Sequence, residues 1–397
     1  MRKINLKNFQ VATSLTARDI NRRIILNVIR TRQPLSRADV ARLTGLQRST
    51  VSLIADQLID EGWIVEGEMG RLPRGRRPIF LQMNTSKAAI LGINIRPTAT
   101  VIALADLNGQ FLDQESIETD PDPKVFFRNL TQALKLFMKR HADKTYEGVG
   151  VSLPGRVNRE TNRLAIAPNL GWRDVDVKTP IERATKLPVE VENAANACAL
   201  AENYFGEHGA EIDNLVVVTV SEGIGTGIIV NGQLIRGSSG MAGEFGHVVI
   251  DPEGPECRCG KRGCWEVLAS NTAALRHYAS ANGKRKAPAP RISFEELLQL
   301  AEQGDSRAIE AIETTARNLG HGLAMLVAGF EPNMIAVVGE ITRIWPRVHP
   351  VIAAAIAERG IGMPATEIVP INDALQPRLR GTIALVLEKH LGAPSVA

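Results

Sequence analysis

Long apolar runs, an export signal and cysteine are what this 397-residue chain has least of. Its most apolar-rich stretch, Leu319 to Val338, is interrupted by His321, Glu331 and Pro332, which excludes a membrane-spanning helix there. Met1 to Asp19 is polar and basic without the apolar centre of a secretory signal. A cytoplasmic protein with no membrane insertion is therefore expected. No long internal repeat or low-complexity tract is present, and 44% hydrophobic with 23% charged residues is ordinary globular composition, enough for two or three domains with real cores. Of only four cysteines, three fall between positions 257 and 264. Such clustering in a chain without an export signal points to metal rather than to disulfides.

Charge is unevenly distributed. Residues 1–80 hold 15 Lys and Arg against 7 Asp and Glu, whereas the remainder holds 32 against 36. A basic head on a mildly acidic body suggests that the head faces a polyanion, although a basic surface that is merely solvated gives the same count. Ile20, Ile24, Ile25, Val28 and Ile29 recur at helical spacing from Arg18 to about Thr31, and Pro34 ends that helix. Ser36-Arg37-Ala38-Asp39 reads as an N-cap with an acidic residue three positions on, opening a short helix with Val40 and Leu43 inward and Gly45 as its turn. A third helix, from about Gln47 to Asp60, buries Val51, Ile54 and Leu58. This is the grammar of a helix-turn-helix, in which Gln47, Arg48, Ser49, Thr50 and Ser52 would enter the major groove. Any three-helix bundle shares the periodicity. The apolar runs Trp63-Ile64-Val65 and Ile79-Phe80-Leu81, however, read as a hairpin around a basic tip, the wing of a winged helix, with Arg71, Arg74, Arg76 and Arg77 facing phosphates or a minor groove.

From about Lys87 strands alternate with helices, which suits two α/β lobes with a cleft between them. Strands are expected at Ala89–Ile95, Thr100–Ala105, Gly148–Ser152, Val189–Val191, Leu215–Val220 and Ile335–Val338, with Ile228–Val230 turning back across Asn231-Gly232. Helices are expected at about Pro123–His141, Ala194–Phe205, Phe294–Gln303, Ser306–Phe330, Val348–Glu358 and Gly381–Leu391, and Gly283–Pro290 reads as a surface loop. His247 with Cys257, Cys259 and Cys264 offers one imidazole and three thiolates, a closed tetrahedral set suited to one structural zinc ion per chain. A redox pair of Cys257 and Cys259 is the competing reading. Cys198, among alanines, reads as a small buried residue.

Gly243-Glu244-Phe245-Gly246-His247, followed by Cys257-Arg258-Cys259-Gly260-Lys261-Arg262-Gly263-Cys264-Trp265-Glu266, resembles the zinc and sugar signature of the ROK family of sugar kinases and transcriptional repressors. Ser152-Leu153-Pro154-Gly155-Arg156-Val157, Asn169-Leu170-Gly171-Trp172 and Arg76-Arg77-Pro78 resemble further stretches of that family, so the resemblance runs from about Asp19 to Leu391. It implies an α/β fold: an N-terminal winged helix-turn-helix followed by a two-lobed actin- and hexokinase-like (ribonuclease H-like) body. The expected division is 1–82 for the head, 87–205 for the first lobe with a helix at about 381–392 returning to it, and 206–380 for the second lobe with the zinc loop. The resemblance also implies a sugar cup of Gly155, Arg156, Asn169, Asn193, Glu244, His247 and Glu266. Carboxylates and amides suit a ring of hydroxyls that each donate and accept.

The stretch Glu192-Asn193-Ala194-Ala195-Asn196 departs from the family pattern, Glu-Asn-Asp-Ala-Asn. The aspartate is the kinases' base, and a missing base typically costs about two to four orders of magnitude in rate. The first phosphate loop, Asp-x-Gly-Gly-Thr in the family, reads Asn94-Ile95-Arg96-Pro97-Thr98 here, which removes a carboxylate, flexible glycines and one N–H. Glu222 adds a negative charge to the second loop, and Gly339-Glu340 replaces a pair of glycines. The expectation is a sugar-responsive repressor without kinase activity that binds operator DNA as a dimer or tetramer and answers to a hexose or hexose derivative. The alternatives are an ATP-dependent hexose kinase with a DNA-binding head, using Glu192 as a displaced base, and a module that binds a protein in place of a sugar.

Overall fold

The three helices and two hairpin strands of the head form where its sequence grammar predicts. In the computed structural model, which describes residues 14–69, 78–158, 161, 163–207, 212–280, 292–359 and 366–392, it comprises α1 (Ser14–Arg32), β1 (Leu35–Ser36), α2 (Arg37–Thr44), α3 (Arg48–Asp60), β2 (Ile64–Met69) and β3 (Ile79–Met83). Ser36 caps α2 by accepting from the Asp39 amide at 3.2 Å while Asp39 accepts from the Ser36 amide at 3.1 Å, and Gly45 ends the helix in the left-handed region. β2 and β3 pair antiparallel with β1 on the outer side of β3. Ile25, Leu26, Ile29, Val40, Val51, Ile54 and Leu58 fill the core. Two expectations fail. Leu43 is 41% exposed because α2 packs through Val40 and Ala41, about a third of a turn away. Ile24 is equally exposed, lying roughly opposite the Ile25–Leu26–Ile29 stripe. The basic tip between β2 and β3, with Arg71, Arg74, Arg76 and Arg77, lies outside the described residues, as does the expected loop at 283–290.

The first lobe of the body holds β4 (Ala88–Ile95), β5 (Ala99–Asp106), β6 (Phe111–Glu118), α4 (Pro123–Arg140), β7 (Thr145–Leu153), β8 (Arg156–Asn158), β9 (Arg163–Ala167), β10 (Trp172–Val175), α5 (Lys178–Thr185), β11 (Val189–Asn193) and α6 (Ala194–Phe205). Its main sheet runs β11-β7-β4-β5-β6, with β11, β7 and β4 parallel, and β8 to β10 form a small antiparallel sheet. Parallel strands buried on both faces explain why β4 reads as a continuous apolar run. The second lobe holds β12 (Leu215–Val220), β13 (Ile224–Val230), β14 (Gln233–Leu234), α7 (Trp265–Ala269), α8 (Asn271–Ser280), α9 (Phe294–Glu302), α10 (Ser306–Phe330), β15 (Met334–Val338), α11 (Trp345–Arg359) and β16 (Glu367–Ile371), around a sheet ordered β14-β13-β12-β15-β16.

The final helix, α12 (Pro377–Leu391), leaves the second lobe and lies on the first-lobe sheet beside α6. It approaches so closely that a Cβ on Gly150 of β7 would collide with the Thr382 carbonyl. Ile383, Val386, Leu387 and Leu391 of α12 share one core with the head. Asn27 Nδ2 and Arg23 Nη1 of α1 donate to the carbonyls of Leu391 and Gly392 at 2.7 and 2.6 Å. His390 stacks on Trp63 with ring centroids 4.4 Å apart. Burial first, then Arg22, Lys389 and Arg23, push the His390 ring from 6.5 down to about 4. A ring held neutral in the fold but more basic in the unfolded chain stabilises above its unfolded pKa, and that stability is lost as pH falls from about 6.5 towards 4. Thermal melts of His390→Gln should therefore lose less of their midpoint over this interval than those of the parent chain. Equal loss in both would remove His390 from the account. Among the described residues no helix is long and apolar enough to cross a membrane.

Candidate functional site

A cleft of about 610 Å³ opens between the two sheets, and all seven residues expected to form a sugar cup line it. Asn193 ends β11 and caps α6, its Oδ1 accepting from the Ala195 amide at 2.8 Å. Its Nδ2 donates to the Gly155 carbonyl at 2.6 Å, which ties the β11–α6 junction to the turn before β8. Gly155 has φ +105°, and a Cβ there would strike the backbone of Ile166 and Ala167, so the turn demands glycine. Next to it, Arg156 meets Glu244 with Nε 3.3 Å from Oε1. Asn169 accepts from Arg258 Nη1 at 3.1 Å across the mouth of the cleft.

Opposite stand Glu244, His247 and Glu266. Glu266 occupies the first turn of α7, anchored by the buried Trp265, whose indole donates to the Asn318 carbonyl at 3.0 Å. Glu266 Oε2 accepts from the Ile224 amide at 3.1 Å, and burial raises its carboxyl above the usual range. His247 turns Nε2 towards Glu244 at 3.8 Å and Nδ1 towards Cys257 Sγ at 3.5 Å.

The ligand atoms of His247, Cys257, Cys259 and Cys264 lie within 4.8 Å of one another. Cys259 and Cys264 sulfurs are 3.6 Å apart. Sulfurs about 2.3 Å from a tetrahedral zinc ion sit about 3.8 Å from each other, so this spacing fits a metal and is far too long for a disulfide. The loop is shaped for it: Cys257 N donates to Lys261 O at 2.7 Å and Gly260 N to Cys257 O at 2.9 Å, folding both cysteines towards the same point. Cys198, by contrast, is fully buried in α6, and burial pushes its thiol up to about 12.

Residues 90–388 match the sequence pattern that defines the ROK family. The chain belongs to the ROK family. Among this ROK protein's relatives, a xylose repressor of Bacillus subtilis is 33% identical over 85% of this chain and 86% of its own. The crystal structure of a ROK family transcriptional regulator, a homolog of the E. coli MLC protein, superposes with a TM-score of 0.80 at 28% identity, covering 94% of this chain and 98% of that one. A ROK family glucokinase from Streptomyces griseus, solved with glucose and AMPPNP, gives 0.66 at 29% identity over 75% of this chain and 98% of its own. These likenesses place the body in the actin- and hexokinase-like fold.

Ala194, Arg96, Pro97 and Glu222 also line the cleft. Glu192 does not line it. Only 4% exposed, it spends Oε1 on the Asn193 amide and Asn196 Nδ2 at 2.9 and 3.0 Å, and Oε2 on Arg236 at 2.7 Å. Glu340 accepts from Asn271 at 2.9 Å outside the cleft lining. Sequence reasoning missed Arg173, Arg258, Lys261 and Arg378, four further cations in the lining. Arg258 and Lys261 sit inside the cysteine motif, where the metal pattern drew attention away from the intervening charges. In the head, Gln47, Arg48 and Ser49 are exposed at the start of α3, while Thr50 and Ser52 are half-buried. Arg37 and Arg42 are already paired with Asp56, Glu66 and Asp39.

Proposed function

We propose that this ROK protein is a sugar-responsive transcriptional repressor, whose kinase-like body senses a sugar and whose head binds operator DNA. The observation that carries this reading is an exposed α3 N-terminus on a body whose cleft has sugar-type donors and acceptors but Ala194 at the position of the kinases' base. The repressor names of its relatives support it. We divide the chain accordingly into a head at 1–82, a first lobe at 87–205 completed by α12, and a second lobe at 206–380. One structural zinc ion is held by His247, Cys257, Cys259 and Cys264. A pentose or hexose is bound by Gly155, Arg156, Asn169, Asn193, Glu244, His247 and Glu266. Gln47, Arg48, Ser49, Thr50 and Ser52 read bases, and Arg71, Arg74, Arg76 and Arg77 add phosphate or minor-groove affinity. A homodimer sets two heads on half-sites one or more helical turns apart.

The kinase alternative is weakened by Glu192, which lies outside the cleft lining with Oε1 accepting from the Asn193 amide and Asn196 Nδ2 and Oε2 from Arg236. The test uses purified full-length protein, an operator selected from random-sequence DNA, and a panel of xylose, glucose and N-acetylglucosamine with and without magnesium ATP. Sugar-dependent release of DNA without phosphorylated product is expected. Robust phosphorylation overturns the regulator reading, and intact operator binding with no sugar bound favours a protein effector. Arg48→Ala is expected to cost about 1–3 kcal/mol on the selected operator and little on random DNA. Equal weakening on both would remove Arg48 from base reading.

A further inference from the structure

Two segments that supply the cleft converge on one guanidinium outside it. The Arg236 carbonyl accepts from the Ala242 amide at 3.0 Å, closing the turn that leads to Gly243 and Glu244. Arg236 Nε donates to Glu192 Oε2 at 2.7 Å, and Glu192 Oε1 in turn holds the Asn193 amide at 2.9 Å. The remaining two nitrogens fork onto Glu388 of α12 at 3.0 and 2.5 Å. Within one turn of Glu388 the carbonyls of Leu391 and Gly392 receive Asn27 and Arg23 of α1, and His390 stacks on Trp63. The side chains of Arg236 and Glu192 are only 12% and 5% exposed, so these charged contacts are little screened and fix orientation.

We propose that Arg236 is the positioning residue that carries the state of the cleft to the head, by clamping Glu192 beside the cup and Glu388 on the helix that seats α1. The proposal rests on the cleft being an effector site. A sugar contacting Asn193 and Glu244 shifts the two segments that share Arg236. The fork tolerates little relative movement, since breaking it leaves a carboxylate poorly solvated and unpaired, so α12 moves with the guanidinium or the clamp opens. Either outcome changes the seat of the head.

Full-length parent, Arg236→Lys and Glu388→Gln are compared for operator affinity with and without saturating xylose, glucose or N-acetylglucosamine, and for the affinity of each sugar alone. In the parent, the active sugar is expected to weaken operator binding by about 5–150-fold. In both variants, sugar and operator affinities measured singly should stay within about threefold of the parent while the coupling falls below about twofold. Lysine keeps the charge and loses the fork. Glu388 is 27% exposed, so Glu388→Gln serves if Arg236→Lys does not fold. Coupling retained in the folded variants overturns the proposal. If no sugar binds the parent, the effector reading fails by itself, and hydrogen exchange then decides the clamp. The variants should exchange faster in α1 than the parent with β15 unchanged, and unaltered α1 exchange overturns it.

Discussion

Cys264→Ser is expected to abolish the sugar response while leaving operator binding by the head in place. The loop from Val248 to Cys264 brings three cysteine sulfurs and His247 around one point, and it leads directly into Trp265 and Glu266. His247 also stands 3.8 Å from Glu244, so a metal held by these four residues would share its imidazole with the proposed cup. Losing a hydrogen bond to a charged group costs about 1.5–3 kcal/mol, so releasing Glu244, His247 and Glu266 together should weaken sugar binding on the order of 100-fold or more. Elemental analysis of the native protein should give one zinc per chain, and chelator-treated parent should match the variant if the substitution itself impairs folding. Native protein free of zinc, or a chelated form that still answers to sugar, would refute the assignment.

Ala194→Asp is expected to remain near background as a kinase. The aspartate would stand at the start of α6, next to Asn193 and on the cleft wall, and would restore proton transfer worth about two to four orders of magnitude where the rest of the machinery is intact. Here it is not. Arg96, Pro97 and Glu222 line the cleft at the positions that match the family's two phosphate loops, so backbone donors would be fewer and a like charge would face a triphosphate. Stabilising the transferring phosphoryl group is usually the larger contribution. Magnesium ATP consumption against the same sugar panel measures the outcome. Strong turnover by Ala194→Asp alone would mean that the nucleotide site still works.

Two body helices were legible in the sequence: α6 and α10 have the ends expected of them, Ala194–Phe205 and Ser306–Phe330. So was the grouping of His247 with the three cysteines, because these residues are close in sequence and their chemistry is distinctive. Elements held by partners rather than by their own pattern were not. β6, Phe-Leu-Asp-Gln-Glu-Ser-Ile-Glu, has no apolar alternation and becomes a strand by pairing with β5 at the sheet edge. The short strands β8 to β10 exist only as a mutual sheet, and the five-residue α7 begins at Trp265 and Glu266 of the cysteine motif. In the cup, carboxylates and amides announced themselves by motif. The Arg236 fork did not, since Glu192, Arg236 and Glu388 are separated by 44 and 152 positions and each is ordinary alone.

Because α12 closes the head's seat, the order of synthesis matters to the finished molecule. The head is synthesised first, yet the surface that receives α1 is completed by Ile383, Val386, Leu387 and Leu391, which the ribosome adds after both lobes have been translated. A nascent chain can fold its three helices early but cannot seat them until synthesis of α12 is finished. Until then α1 presents an uncovered apolar flank, and any DNA grip by the emerging head is uncoupled from the sensor. If the Arg236 clamp carries the signal, regulation by sugar begins only when α12 has been made.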